Sequence, residues 1–144
     1  MTPTAPISIA MATFNGERFL DEQLQSLAAQ SLKPLELIVC DDGSTDDTLQ
    51  ILNAFAAHAP FPVSIHCNEI QLGCAENFLK AANLCSGEWI GFCDQDDVWM
   101  PNKIEVVAKQ IAASPSLLMV IHSADCTDEN LKPLGLRLPD FKHS

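Results

Sequence analysis

The sequence predicts an α/β protein, a mostly parallel sheet with helices on both faces, organised as a single domain over residues 1–144. Three observations carry this expectation. Short apolar runs alternate with longer amphipathic stretches along most of the 144 residues, the pattern of parallel strands joined by crossover helices. The length is that of one ordinary domain, able to bury about 68–70% of its unfolded surface without a metal or disulfide staple. The composition, 47% hydrophobic and 19% charged, excludes a disordered chain, a collagen or a coiled coil, and six glycines with no tyrosine argue against an all-β sandwich.

The elements follow in order. Ile7 to Ala12 forms a first strand, and Phe19 to Gln30 a helix with Leu20, Leu24, Leu27 and Ala28 at helical spacing. Leu35 to Cys40 is a second strand. Thr45 to Ala57 is a helix presenting Thr48, Leu52, Phe55 and Ala56, broken by Pro60 and Pro62. Val63 to Cys67 is a short third strand, and Cys74 to Leu84 a helix ended by Ser86-Gly87. Glu88 to Cys93 is the fourth strand. Pro101 suits the first turn of the next helix, whose stripe is Ile104, Val107, Ala108 and Ile111 and whose stop is Ser114-Pro115. Ser116 to His122 reads as a fifth strand, and Lys132 to Ser144 as a loop.

Charge and cysteine usage narrow the class further. A net charge of -11 repels DNA, RNA and anionic headgroups, so neither nucleic acid nor a membrane surface is an expected partner. No apolar run reaches the ~18–20 residues that span a bilayer, and the N-terminus lacks the marks of a signal peptide, so a cytoplasmic location is expected, peripheral to a membrane only through an acceptor. Cys40, Cys67, Cys74, Cys85, Cys93 and Cys126 form no C-x-x-C pair and read as reduced core residues. Zinc is the alternative, with His66-Cys67 its nearest approach to a ligand cluster.

In a sheet of this kind ligands bind beyond the carboxyl ends of the strands. There the second strand runs into Asp41-Asp42-Gly43-Ser44-Thr45-Asp46-Asp47, the fourth into Asp94-Gln95-Asp96-Asp97, and the first into Thr13-Phe14-Asn15-Gly16-Glu17. Ser44, Asp46 and Asp47 are explained as caps of the following helix, and Asp97 as a turn residue. Asp41, Asp42, Asp94 and Asp96 are not so easily explained. Crowded carboxylates repel unless a cation joins them or one is protonated, and a hard divalent cation with a diphosphate ligand resolves the conflict.

These segments, with Asn68 through Leu72-Gly73 to Asn77-Phe78 and Asp94 through Trp99-Met100-Pro101-Asn102-Lys103, resemble the N-terminal part of the family 2 glycosyltransferases of GT-A fold, and among them the bacterial rhamnosyltransferase-like branch that builds cell-surface polysaccharide. The resemblance runs from about Ile7 to Phe141. It implies that Asp42 accepts a hydrogen bond from the imide N–H of a pyrimidine, that Ala12, Thr13 and Phe14 lie beneath the nucleoside with Phe14 stacking, and that Glu17 lies near base and ribose. It implies further that Asp94 and Asp96 are the ends of a D-x-D motif around Gln95, with Asp96 ligating Mn²⁺ or Mg²⁺ and Asp94 near ribose and metal-bound water. The implied reaction is inverting, metal-dependent transfer of a sugar from a UDP- or dTDP-sugar to a glycan or lipid-linked glycan acceptor.

Two departures from the family pattern stand out. Where many relatives carry an arginine near the diphosphate, this chain has Glu76, with Lys80 one turn on as the replacement cation. No residue matches the family's general base, which the resemblance places beyond Ser144; Asp125 and Asp128 do not match it. The chain alone is therefore expected to bind donor but to transfer no sugar, and an open sheet edge with exposed apolar surface predicts either poor solubility or a homodimer. A non-catalytic nucleotide-binding remnant is the main alternative. A two-component receiver domain fits poorly, because its acidic pair follows the first strand. A nucleotidyltransferase also fits poorly, because Asn15-Gly16-Glu17-Arg18 is a weak version of its glycine-rich basic loop.

Overall fold

The structure, a computed structural model, describes residues 5–139. These fall into two compact units divided between Ala113 and Ser114. The first holds β1 (Ile7–Thr13), α1 (Glu17–Ala28), β2 (Glu36–Asp41), α2 (Thr48–Ala56), β3 (Val63–Cys67), α3 (Cys74–Leu84), β4 (Trp89–Cys93) and α4 (Lys103–Ala113). Its sheet has the order β3-β2-β1-β4, and every pairing is parallel.

Alternation along the two central strands explains the layering. Ile7, Ile9 and Met11 of β1 and Leu37 and Val39 of β2 point to one face. There they meet Leu20, Leu24 and Leu27 of α1, Leu52 and Phe55 of α2, and Ile104 of α4 in the main core. Ala10, Ile38 and Cys40 point the other way and pack on Ala81 of α3 in a smaller cluster. β1 and β2 are thus apolar on both faces, as strands covered by helices on two sides must be.

The order also locates the ligand crevice. From β1 the chain steps outward to β2 and β3, then returns across the sheet to place β4 on the other flank of β1. The carboxyl ends of β1 and β4 thereby lie side by side, at the edge where ligands bind in open α/β sheets.

The second unit contains β5 (Ala124–Thr127) and β6 (Pro133–Leu138), an antiparallel pair. Asp128 closes its turn, its Oδ1 accepting from the Asn130 and Lys132 amides at 2.9 Å each. Asp125 is held by Arg137, whose Nε and Nη2 donate to its two oxygens at 2.6 and 3.1 Å.

The structure corrects the sequence reading in this unit. No strand covers Ser116 to His122, and part of the expected loop from Lys132 onward is β6. A run of apolar residues becomes a strand only with a ladder partner and a face to bury. This run has neither among the described residues, and Leu118 is 92% exposed. Residues 140–144 of the expected loop lie outside the described residues. The cysteine reading is corrected too. All six thiols are free, but Cys67 and Cys74 are exposed and not core, because β3 is an edge strand and Cys74 opens the helix beyond it.

Candidate functional site at the carboxyl edge of the sheet

Three loops meet at the carboxyl edge of the sheet, and side chains stitch the first two together. The Asn15 amide donates to Ser44 Oγ at 2.9 Å, and Asn15 Oδ1 accepts from the Thr45 amide at 2.8 Å. The Gly16 amide donates to Thr48 Oγ1 at 2.8 Å. The Glu17 amide donates to Asp46 Oδ2, while Glu17 Oε2 accepts from the Asp47 amide. Asp46 Oδ1 also accepts from the Thr48 amide at 3.0 Å, so Asp46 serves the start of α2. The N-cap residue Asp47 makes no side-chain cap bond. Ser44, expected as a cap, instead joins the loops.

Asp41 anchors this assembly from within. It is fully buried, with Oδ2 accepting from Thr13 Oγ1 at 2.8 Å and Ser44 Oγ at 2.6 Å, and Oδ1 from the Gly43 and Ser44 amides. Gly43 at φ +87° lets the chain turn back so that both amides face one oxygen. Thr13 is buried with its hydroxyl committed to Asp41, whereas Phe14, the next residue, is 42% exposed at the crevice. Ala12 is half-buried, one residue before the end of β1.

Asp42 is 4% exposed and holds the loop between β3 and α3. Oδ1 accepts from Asn68 Nδ2 at 2.8 Å and from the Leu72 amide at 2.7 Å, and Oδ2 accepts from the Gly73 amide at 2.8 Å. A carboxylate offers about four acceptor positions, so one on Oδ2 stays available. Burial works against its charge, but the bonds from Leu72, Asn68 and Gly73 and the charge of Lys80 outweigh this and hold its carboxyl below the usual carboxylate range. Asn68 is the hub behind it, donating also to Asn77 Oδ1 and accepting from Lys80 Nζ at 2.7 Å. Lys80 is therefore aimed at Asn68 through the Asp42 network, and Glu76 is exposed in the first turn of α3.

The third loop carries Asp94, Gln95, Asp96 and Asp97. Burial, with Asp97 and Asp96 beside it, pushes the Asp94 carboxyl up. Lys103 lies beneath, its Nζ 3.8 Å from the centroid of the Trp99 ring. Gln95 reaches across to β1, with Oε1 accepting from the Phe14 amide at 2.9 Å and Nε2 donating to the Phe14 carbonyl at 3.1 Å.

No three His, Cys, Asp or Glu side chains form a closed metal cage among the described residues. Asp94 and Asp96 nevertheless fit a hard cation of the Mg²⁺ type, which takes one or two carboxylates and completes its shell with water and substrate phosphate.

The structure places Phe14, Gln95, Asp94 and Asp96 beyond the carboxyl ends of β1 and β4, with Gln95 bonded to Phe14 and Asp96 close to Asp94, and Asp42 and Glu17 in the neighbouring loops. The sequence reading treats Asn15, Asn68 and Asn77 only as motif residues, Ser44 as a cap and Thr48 as part of a helix face, and misses that their side chains lock these loops together. Asn15, Ser44 and Asn68 are short polar side chains beside a turn glycine or a strand end, where such residues capture neighbouring polar groups, and Thr48 and Asn77 lie in the opening turns of α2 and α3.

A fold of this topology with its site at this edge is that of the nucleotide-diphospho-sugar transferases. Residues 8–142 match the family described as Glycosyl transferase family 2, and the chain belongs to that family. It is 33% identical over 125 residues to the dTDP-rhamnosyl transferase RfbG of Shigella flexneri, covering 84% of this chain and 40% of that protein. Among solved structures it is similar to TarS of S. aureus in complex with UDP, with a TM-score of 0.69, 29% identity and coverage of 74% of this chain and 32% of that one. It shares the fold of a Pyrobaculum calidifontis mannosyltransferase in complex with GDP-Man and Mn²⁺, with a TM-score of 0.66, 21% identity and coverage of 90% and 38%. The chain spans 37% to 40% of the length of such curated relatives. Among the described residues no helix is long and apolar enough to cross a membrane.

Proposed function

We propose that this chain is the donor-binding portion of a metal-dependent, inverting glycosyltransferase that uses a UDP- or dTDP-sugar and serves a cell-surface glycan or lipid-linked glycan acceptor. The observation that supports this reading is the convergence, at the carboxyl edge of the sheet, of an exposed aromatic ring just past β1 with the Asp94–Asp96 carboxylates beyond β4. The ring of Phe14 offers a stacking face for a base. The open acceptor position on Asp42 Oδ2 suits an imide N–H, which uracil and thymine share and purines present differently. Thr13, bonded to Asp41, and Ala12 support that floor from below, and Glu17 flanks it.

Asp96, with Asp94 beside it, would hold Mn²⁺ or Mg²⁺. When bound, the cation neutralises the charge that grows on the leaving diphosphate as the glycosidic bond breaks. The chain's own residues bind and orient the donor, and none of them is assigned as the base that deprotonates the acceptor. RfbG is named for a dTDP-sugar and TarS is seen with UDP, in keeping with a pyrimidine donor. Ile90 and Phe92 leave apolar surface on the outer strand β4, and self-association of two copies through that strand is part of the reading.

Calorimetric titration of UDP, dTDP and GDP in saturating Mn²⁺ tests the base assignment. One charge-assisted hydrogen bond to the imide should favour UDP and dTDP over GDP by about tenfold or more. Equal affinity for all three would overturn recognition through Asp42.

A further inference from the structure

We propose that Gln95 is a positioning residue that makes nucleoside binding at Phe14 and cation binding at Asp94–Asp96 cooperative, an inference that rests on the donor-site reading above. The β1–β4 ladder ends at the pair Met11 and Cys93. Beyond it the two chains part, and no backbone pairing joins the Phe14 loop to the acidic loop. The Gln95 carboxamide takes the place of the missing rung. It accepts from the Phe14 amide at 2.9 Å and donates to the Phe14 carbonyl at 3.1 Å, as a strand partner would. The space it occupies is kept by Gly16, where an added Cβ would collide with Gln95 Oε1 and Cδ.

The physical consequence is a linkage. Both bonds are exposed to water, so each is weak by itself and the clamp opens and closes. Gln95 sits between Asp94 and Asp96. A cation that draws those two carboxylates together fixes the backbone from which the Gln95 side chain springs, and so favours the closed clamp. The closed clamp in turn fixes the Phe14 backbone and the ring that would stack on a base. A ligand at either loop shifts the same equilibrium, so each tightens the other by the same factor.

Uridine is the probe that removes the contact between phosphate and cation, and the Gln95→Ala comparison separates the clamp from any ribose contact at Asp94. Uridine affinity is measured by titration of the isotope-labelled chain in nuclear magnetic resonance, with and without saturating Mg²⁺. In the unaltered chain Mg²⁺ should tighten uridine about fivefold or more, the lower end of ordinary coupling between sites. In Gln95→Ala the factor should fall to about one while uridine and Mg²⁺ each still bind. Gly16→Ala, which displaces the clamp and leaves Gln95 in place, should do the same, and the spectra report whether each variant is folded. Uridine that binds the unaltered chain equally well with and without bound Mg²⁺ would overturn the proposal and leave the donor-site reading standing. Failure of uridine to bind under either condition would overturn the donor-site reading itself, and the proposal with it.

Discussion

Asp41 and Asp42 are adjacent, both buried, and hold different loops. Asp41 ties Thr13 and the Gly43–Ser44 turn together, whereas Asp42 collects the Leu72 and Gly73 amides and Asn68. Asp42→Ala should therefore cost about 1–3 kcal/mol of stability in urea denaturation, from amides left without an acceptor, besides weakening UDP binding. The pH dependence follows in sign. The folded-state pKa of Asp42 is lowered relative to an unfolded value of about 3.9. Its stabilisation is thus fully present above that unfolded value and is lost as pH falls through the folded one. The stability gap between the unaltered chain and Asp42→Asn should shrink as pH drops from about 6 to about 3. A gap that stays constant would mean that Asp42 is not charged where it is bound. The acidic pair was plain in the sequence, but the division of labour was not. Two identical neighbours on one strand end point in opposite directions, and only the position of Asn68 and Leu72 shows which loop each one serves.

Among the elements, α3 and β3 have the bounds their residues predict, Cys74–Leu84 and Val63–Cys67. Glycine 73, at φ +88°, precedes α3, and Ser86-Gly87 follows it, so local punctuation agreed with packing. α2 starts at Thr48, three residues after the expected Thr45. The polar residues that resemble a capping sequence are spent on the first loop, where Asn15 and Glu17 compete for the same amides. The strand expected at Ser116 to His122 failed for a different reason. Periodicity shows that residues are apolar, but not whether a neighbouring strand exists to pair with them. The helices that hold the crevice depend on the main core, in which Leu24 of α1 is fully buried. Leu24→Ala should lower unfolding free energy by about 2–5 kcal/mol, read as a drop in the urea midpoint with an unchanged slope. Phe14→Ala, at an exposed ring, should leave that midpoint almost unmoved while weakening uridine binding.

For the whole molecule, the net charge of -11 is informative through its placement. Asp94, Asp96 and Asp97 crowd one loop at the sheet edge over Lys103, and the Asp94 carboxyl is pushed up by burial and by its two neighbours. Such a site favours a cation and, through the cation, a diphosphate that a strongly acidic chain would otherwise repel. That convergence was legible because the strand order of an α/β sheet sends successive strand ends to one edge; the interlocking of the loops there depended on side-chain contacts between distant segments. The central claim is that this edge binds a nucleoside diphosphate through a cation held by Asp96. Calorimetric titration of UDP into the unaltered chain and into Asp96→Asn, each with Mn²⁺ and again with EDTA, tests it most directly. The account predicts that Mn²⁺ strongly tightens UDP binding to the unaltered chain and that Asp96→Asn removes most of this gain. Equal UDP affinity with Mn²⁺ and with EDTA in the unaltered chain would contradict it.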